Sequence, residues 1–213
     1  MIGVYDYTVI ATYLATVLGV CGMLQAIEGR PVAAIFCLLG AGLLDTVDGR
    51  IARTKKNRTD TEKGFGIQID SLNDVMCFGA LPALIAYALC RQWRGDVPVW
   101  FCATLAFFVL AGLIRLAYFN VTEEERQRSS AEPRQYYLGM PITSSTLFFP
   151  LLFLLSQLFS AAAAPMALAV GMFVVGVLFI TPVHIRKPHL PGLVAMGVAG
   201  AIEIAALIYV AVH

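Results

Sequence analysis

A chain of 213 residues would suit one or two soluble domains by length, but 59% hydrophobic residues with only 14% charged, and a mean hydropathy of +0.76, exclude ordinary soluble composition. A formal charge of +1 argues against nucleic acid as a partner and against a polybasic lipid-binding tail. The bilayer is the expected solvent, and apolar stretches fill residues 1–213 so fully that one integral membrane domain is expected.

In chain order, apolar runs near Tyr7–Ala26, Pro31–Arg53, Gly66–Cys90, Val97–Phe119, Pro141–Phe159, Pro165–Pro182 and Pro191–Val212 approach the roughly 20 residues that cross about 30 Å of hydrocarbon. The expected fold is therefore all-α, a polytopic transmembrane bundle of about seven spans. The opening MIGVYDYTVI has neither the basic region nor the cleavage site of a signal peptide, so the first span is expected to be retained. A charged connection (54–65) follows the second span, TEEERQRSSAEPRQ (122–135) follows the fourth, AAAA (161–164) joins the fifth to the sixth, and HIRKPH (184–189) precedes the last. Cys21, Cys37, Cys77, Cys90 and Cys102 all fall inside apolar runs with no CxxC pair, and read as small core residues. Glu203, a lone acid in the last span, is expected to face the bundle interior.

Basic residues set the expected orientation. With the 54–65 connection in the cytoplasm, twelve of the fifteen Lys and Arg fall on that side and only Arg30, Arg91 and Arg94 on the other. By the positive-inside rule the N-terminus is then inside and His213 outside.

Four aspartates at the ends of two neighbouring spans, in LLDTVDGRIAR and GFGIQIDSLNDV, need a reason, because an unpaired charge near hydrocarbon is costly. At about 100° per residue, Asp45, Asp48, Gly49, Ala52 and Arg53 share an arc of roughly 140°. Gly66, Asp70 and Asp74, spaced i, i+4 and i+8, form a second face. If these faces oppose each other, four carboxylates converge beside side chains that are small or absent. Oxygen donors of this kind suit Mg²⁺ or Mn²⁺ rather than zinc. Two such ions would clamp a pyrophosphate, and the glycines would let a nucleotide approach the helix backbone.

The pattern D-x-x-D-G-x-x-A-R followed by G-x-x-x-D-x-x-x-D resembles the signature of the CDP-alcohol phosphotransferase family. The connection between Arg53 and Gly66 is longer than is usual there. The resemblance implies a homodimeric membrane fold with a six-helix catalytic core. It also implies two divalent metals on Asp45, Asp48, Asp70 and Asp74, Asp74 as general base, and a CDP site lined by Gly49, Ala52, Arg53 and Gly66. Three further segments, DSLNDVMCFGALPAL (70–84), RLAYFN (115–120) and GMPITSS (139–145), are similar to the phosphatidylserine synthase branch of that family. The implied reaction is phosphatidyl transfer from CDP-diacylglycerol to L-serine, with CMP released at a cytoplasm-facing site. Relatives often carry an Asn in the first span, where this chain has Thr12, Ala15 and Thr16.

Serine is a small zwitterion whose pocket needs a cation for its carboxylate. Arg115 is the candidate, with Ser71 and Asn120 as polar companions. Inositol, inositol phosphate and glycerol 3-phosphate are alternative acceptors for the same core. A divalent-cation or proton-coupled transporter is the rival from another class, since intramembrane acids also mark ion paths. It accounts for the aspartates and poorly for the glycines beside them.

Overall fold

In the computed structural model, residues 2–129, 136–186 and 190–212 are described. The first two apolar runs form α1 (Ile10–Ile27) and α2 (Pro31–Ala52), joined by a turn in which Gly29 takes a φ of +75°. Pro31 opens α2, where its fixed φ suits the helix and its missing N–H leaves no orphan donor. The buried face of α1 is Ala11, Thr12, Ala15, Gly19, Gly22 and Ala26, a stripe of small residues that lets neighbouring backbones approach. A Cβ on Gly22 would stand 3.0 Å from both Cys37 and Leu81. Leu14, Val17 and Leu24 point outward and are exposed on the chain, as suits a lipid-facing surface.

The third run forms one long helix, α3 (Asp60–Arg94), of 35 residues. It begins before Gly66 because Thr59 and Glu62 build a capping box, with Thr59 Oγ1 accepting from the Glu62 N–H and Glu62 accepting from the Thr59 N–H; this satisfies first-turn donors within the charged connection. Immediately after Asp74 the helix widens into a π-helical stretch over Val75–Ala80. Pro82, just beyond, has no N–H to donate and would clash with a carbonyl four residues back, and a wider turn relieves both problems. Gly95, with φ +82°, ends the helix by donating its N–H to the Arg91 carbonyl.

Helix α4 (Val99–Ser129) carries the fourth run on through the first part of the charged 122–135 segment; residues 130–135 lie outside the described residues. After it come β1 (Tyr136–Leu138), a 3₁₀ turn (Ile142–Ser144), α5 (Ser145–Ser156), α6 (Ala164–Ile180), β2 (His184–Arg186) and α7 (Leu190–Val212). The antiparallel pairing of β1 with β2 is a small departure from the all-α expectation and takes in the start of HIRKPH, whose residues 187–189 lie outside the described residues. Elsewhere the chain is a helical membrane fold. Four helices, α1 to α4, are long and apolar enough to cross a membrane, while Ile142–Ser156, Ala164–Ile180 and Met196–Val212 are shorter apolar stretches.

Helices α1 and α2 lie along each other and against the second half of α3, α4 packs on α6, and α5 contacts both α6 and α7. Ile35, Leu38, Phe78, Leu81, Ile85, Phe101 and Met172 fill the interior with no exposure. Among the cysteines, Cys77 and Cys90 are buried as expected, but Cys21 and Cys102 are exposed on the outer faces of α1 and α4: residues on a lipid-facing surface need only be apolar, so apolar surroundings in sequence did not imply a core position. Glu203 is buried on α7. Its packing and the outward belt of large apolar side chains fit an integral membrane protein.

Candidate active site

The last two turns of α2 carry Asp45 and Asp48, and the middle of α3 carries Asp70 and Asp74. Packing of these helices beside α1 brings the two faces together. One carboxylate oxygen from each of Asp45, Asp70 and Asp74 lies within 4.8 Å of the others. Asp48 stands beside this trio and accepts a hydrogen bond from the Thr12 hydroxyl at 3.1 Å. One turn further along α1, Thr16 donates to Asn73 Oδ1 at 2.9 Å, and Cys77 Sγ donates to the same oxygen at 3.2 Å. The bonds from Thr12 and Thr16 tie α1 to α2 and to α3 beside the aspartates.

The cluster fits a divalent cation. Asp48 and Asp74 are each only 7% exposed, and Asp70 Oδ1 and Asp74 Oδ1 are buried with no hydrogen-bond partner among the described residues. Buried acceptors without donors are rare and costly, and like charges held this close need a counter-ion. Every candidate donor is a hard carboxylate oxygen, the set that magnesium and manganese prefer.

Beside the aspartates opens a cavity of about 150 Å³. Asp48, Gly49 and Ala52 of α2 line one side, Gly66, Ile67 and Asp70 of α3 the other, and Thr8, Val9 and Thr12 close the end. A Cβ on Gly49 would meet nothing within 4 Å, so the missing side chain there is open room and not a packing contact. Arg58 and Lys63 also line the cavity. Arg53 does not; it caps the end of α2 and is exposed.

The segment before α1 is tied across the α2–α3 connection. Lys55 Nζ donates to Asp6 Oδ2 at 2.6 Å and to Glu62 Oε1 at 2.7 Å. Asp6 also accepts from the backbone N–H of Thr8 at 2.8 Å and from its hydroxyl. The hydrogen bond from Lys55, helped by Thr8, holds the Asp6 carboxyl down to about 2. Thr8, a wall of the cavity, is thereby fixed in place.

The acceptor candidates sit elsewhere. Asn120 Nδ2 donates to Ser71 Oγ at 2.7 Å, and Ser71 donates to the Ile67 carbonyl at 2.8 Å, so these two side chains tie α4 to α3. Arg115 is 8% exposed, with its guanidinium carbon 4.8 Å above the Phe119 ring. It lines a second cavity of about 250 Å³ with Gly139, Phe179 and Thr181, not the cavity beside the aspartates.

Sequence reasoning missed Thr8, Arg58 and Lys63 as cavity residues. Arg58 and Lys63 stand in a run of charges where no spacing singles out one cation, and Thr8 lies before the first helix. Thr12 had a signal, since it is one of the three residues, with Ala15 and Thr16, that the family resemblance sets against an Asn in the first span.

Among known proteins, the CDP-diacylglycerol–serine O-phosphatidyltransferase of Helicobacter pylori is 34% identical over 140 residues, 66% of this chain and 54% of the relative. The enzyme of the same description from Saccharomyces cerevisiae is 40% identical over 114 residues, 53% of this chain and 38% of the relative. An archaetidylserine synthase of Methanothermobacter thermautotrophicus is 38% identical over 104 residues, 48% of this chain and 42% of the relative. The matched stretches thus span about half or less of these relatives' lengths. The family profile described as CDP-alcohol phosphatidyltransferase covers residues 7–182, a range that takes in Thr12, all four aspartates and both glycines of the cavity. On that coverage, the chain belongs to the CDP-alcohol phosphatidyltransferase family.

Proposed function

We propose that the protein transfers a phosphatidyl group from CDP-diacylglycerol to the hydroxyl of L-serine, giving phosphatidylserine and CMP. The observation that carries this reading is the juxtaposition of a carboxylate cluster holding two buried oxygens without a hydrogen-bond partner among the described residues with a cavity that has open space where the Gly49 side chain is missing. The aspartates supply the charge for metal-assisted phosphoryl chemistry, and the cavity supplies room for the CDP head.

Asp45, Asp48, Asp70 and Asp74 are assigned to two Mg²⁺ or Mn²⁺ ions. When bound, such ions neutralise pyrophosphate charge and stabilise the leaving phosphate. The CDP head lies along Gly49, Ala52 and Gly66, with Arg53 as a charge beyond the wall. Asp74 takes the proton of the serine hydroxyl as that oxygen bonds to the β-phosphorus, and the bond from the β-phosphorus to the bridging oxygen breaks to release CMP. Thr12 holds the Asp48 carboxylate by the hydrogen bond it donates. On α4, Arg115 is assigned to the serine carboxylate, with Ser71 and Asn120 as polar groups on the acceptor side. All three relatives' names point to a serine product, although one implies a different lipid backbone, which favours serine as the shared acceptor. The protein is assigned as a homodimer in the cell membrane, with its N-terminus and aspartate cluster facing the cytoplasm as the basic residues indicate.

The test is CMP release by detergent-purified protein given CDP-diacylglycerol and Mn²⁺ or Mg²⁺, with serine, inositol, inositol phosphate, glycerol 3-phosphate or no acceptor in parallel. Release that requires both serine and metal is expected. Release with another acceptor alone keeps the reaction class and overturns serine; none from folded protein under any condition overturns the transferase and returns the ion-transporter reading.

A further inference from the structure

Two cations in the cavity have no part in the reading above, and one of them is placed in an unusual way. Arg58 lies in the connection between α2 and α3, outside the family pattern. Its Nη2 donates to the Glu62 carbonyl at 3.1 Å, which lays the guanidinium against the first turns of α3. The same Nη2 is 2.6 Å from the point that a Cβ on Gly66 would occupy. Any side chain at 66 would therefore displace it. Among the described residues, Arg58 Nε is buried with no hydrogen-bond partner and no carboxylate lies within ion-pair distance of this guanidinium. A buried donor left without an acceptor beside an open cavity asks for an anionic ligand.

Lys63 lines the same space and makes only an exposed ion pair with Asp60, at 3.2 Å. The pyrophosphate diester of a nucleotide-activated lipid carries two negative charges, matching these two cations. The planar fork of an arginine suits phosphate oxygens in particular. Arg53, by contrast, is exposed and outside the cavity lining.

We propose that Arg58, assisted by Lys63, binds the phosphate chain of the CDP-linked donor inside the cavity, and that the missing side chain at residue 66 leaves Arg58 the space it needs to do so. This rests on the transferase reading of the cavity. It gives Gly66 a purpose beyond that of Gly49: both border the cavity, and Gly66 also makes room for a protein cation.

The experiment is calorimetric titration of CDP, the soluble head of the donor, into detergent-purified protein with Mn²⁺ present, each variant being checked for a single oligomeric peak and an unchanged melting profile. Arg58→Met is expected to weaken CDP binding on the order of ten-fold or more, the loss of a charge-assisted contact. Arg58→Lys should fall between it and the wild type, and Lys56→Met, an exposed cation of the same connection outside the cavity lining, should stay within about two-fold of the wild type. Gly66→Ala should weaken binding alone yet add little in the Arg58→Met background, since the guanidinium it displaces is already gone. Wild-type affinity in Arg58→Met, or fully additive losses in the double variant, overturns the inference while leaving the transferase intact. Folded wild-type protein that binds no CDP overturns the transferase reading, and the inference with it.

Discussion

Gly42 and Gly49 stand two turns apart on α2, and a methyl group added to each would meet opposite surroundings. At Gly42 it would lie 2.5 Å from Cγ2 and 2.6 Å from Oγ1 of Thr146; at Gly49 it would meet nothing within 4 Å. The contrast extends to the regions around them. In the middle of the bundle, a methyl group on Gly171 would collide with Leu152 and one on Gly112 would lie 2.6 Å from Ile142, so small residues there are contacts between helices. At the aspartate end, carboxylate oxygens lie buried without partners and Gly49 borders open space. The first region is arranged for stability, and the second gives up stability for a ligand.

The sharpest way to separate the two regions is Asp74→Asn, which keeps the shape of the side chain and removes its charge and basicity. Turnover should fall about a thousand-fold or more, as loss of a general base that also serves the metal site implies. Metal-free stability should hold or rise, because one of several crowded like charges is gone. Retained turnover would remove Asp74 from the base role; a large drop in melting temperature would show that its carboxylate is structural and place it with the packing region.

The glycine pair gives a smaller and opposed set of effects. Gly42→Ala should cost about 1–3 kcal/mol through the collision with Thr146 and leave the KM for CDP-diacylglycerol of the folded fraction unchanged. Gly49→Ala should hold or raise stability by up to about 1 kcal/mol, the helix preference for Ala over Gly, while raising that KM several-fold. Melting midpoints and KM values measured on both proteins decide the matter. If Gly49→Ala destabilised and Gly42→Ala did not, the division between packing and ligand space would be wrong.

Much of this division was legible before the fold was known. Among the described residues the seven apolar runs correspond to seven helices, because apolar composition marks a buried or lipid-facing helix whatever its partners, but only four of them are long and apolar enough to cross a membrane. The aspartate faces followed from helical angles alone, and α2 and α3 do bring those residues together. Other features depend on contacts between distant segments. Nothing local ties Thr12 to Asp48, thirty-six residues away, and nothing in a run of lysines and arginines marks Arg58 as the one folded back over Gly66. The start of α3 at Asp60 was hidden in charged sequence, although the Thr59–Glu62 capping box was there to be read. The π-helical stretch after Asp74 answers to Pro82 just beyond it, and the β1–β2 ribbon pairs Tyr136–Leu138 with the distant His184–Arg186; hydropathy reports neither.

The mildest test concerns the tether that closes the ligand end. Lys55 holds the Asp6 carboxyl down to about 2, from an ordinary value of 3.8, while its own ammonium is raised by Asp6 and Glu62. A carboxyl held below its usual value contributes fully above that usual value and loses its contribution as pH falls through the depressed one. A raised lysine contributes fully below its usual value and loses the contribution only as pH rises past the raised one. The tether should therefore be constant across neutral pH and release in acid, as the medium falls from about pH 4 towards 2. Hydrogen exchange at the Thr8 amide, which donates to Asp6 Oδ1, reads this directly once corrected for intrinsic rates. Wild-type protection should hold at neutral pH and fade in acid, and Asp6→Asn should show the faded level throughout, with KM rising only slightly because Thr8 is one wall among several. Equal protection in both proteins at every pH would mean that the cavity wall is held by the packing of α1 alone, and that the ligand end owes its shape to the bundle and not to its charges.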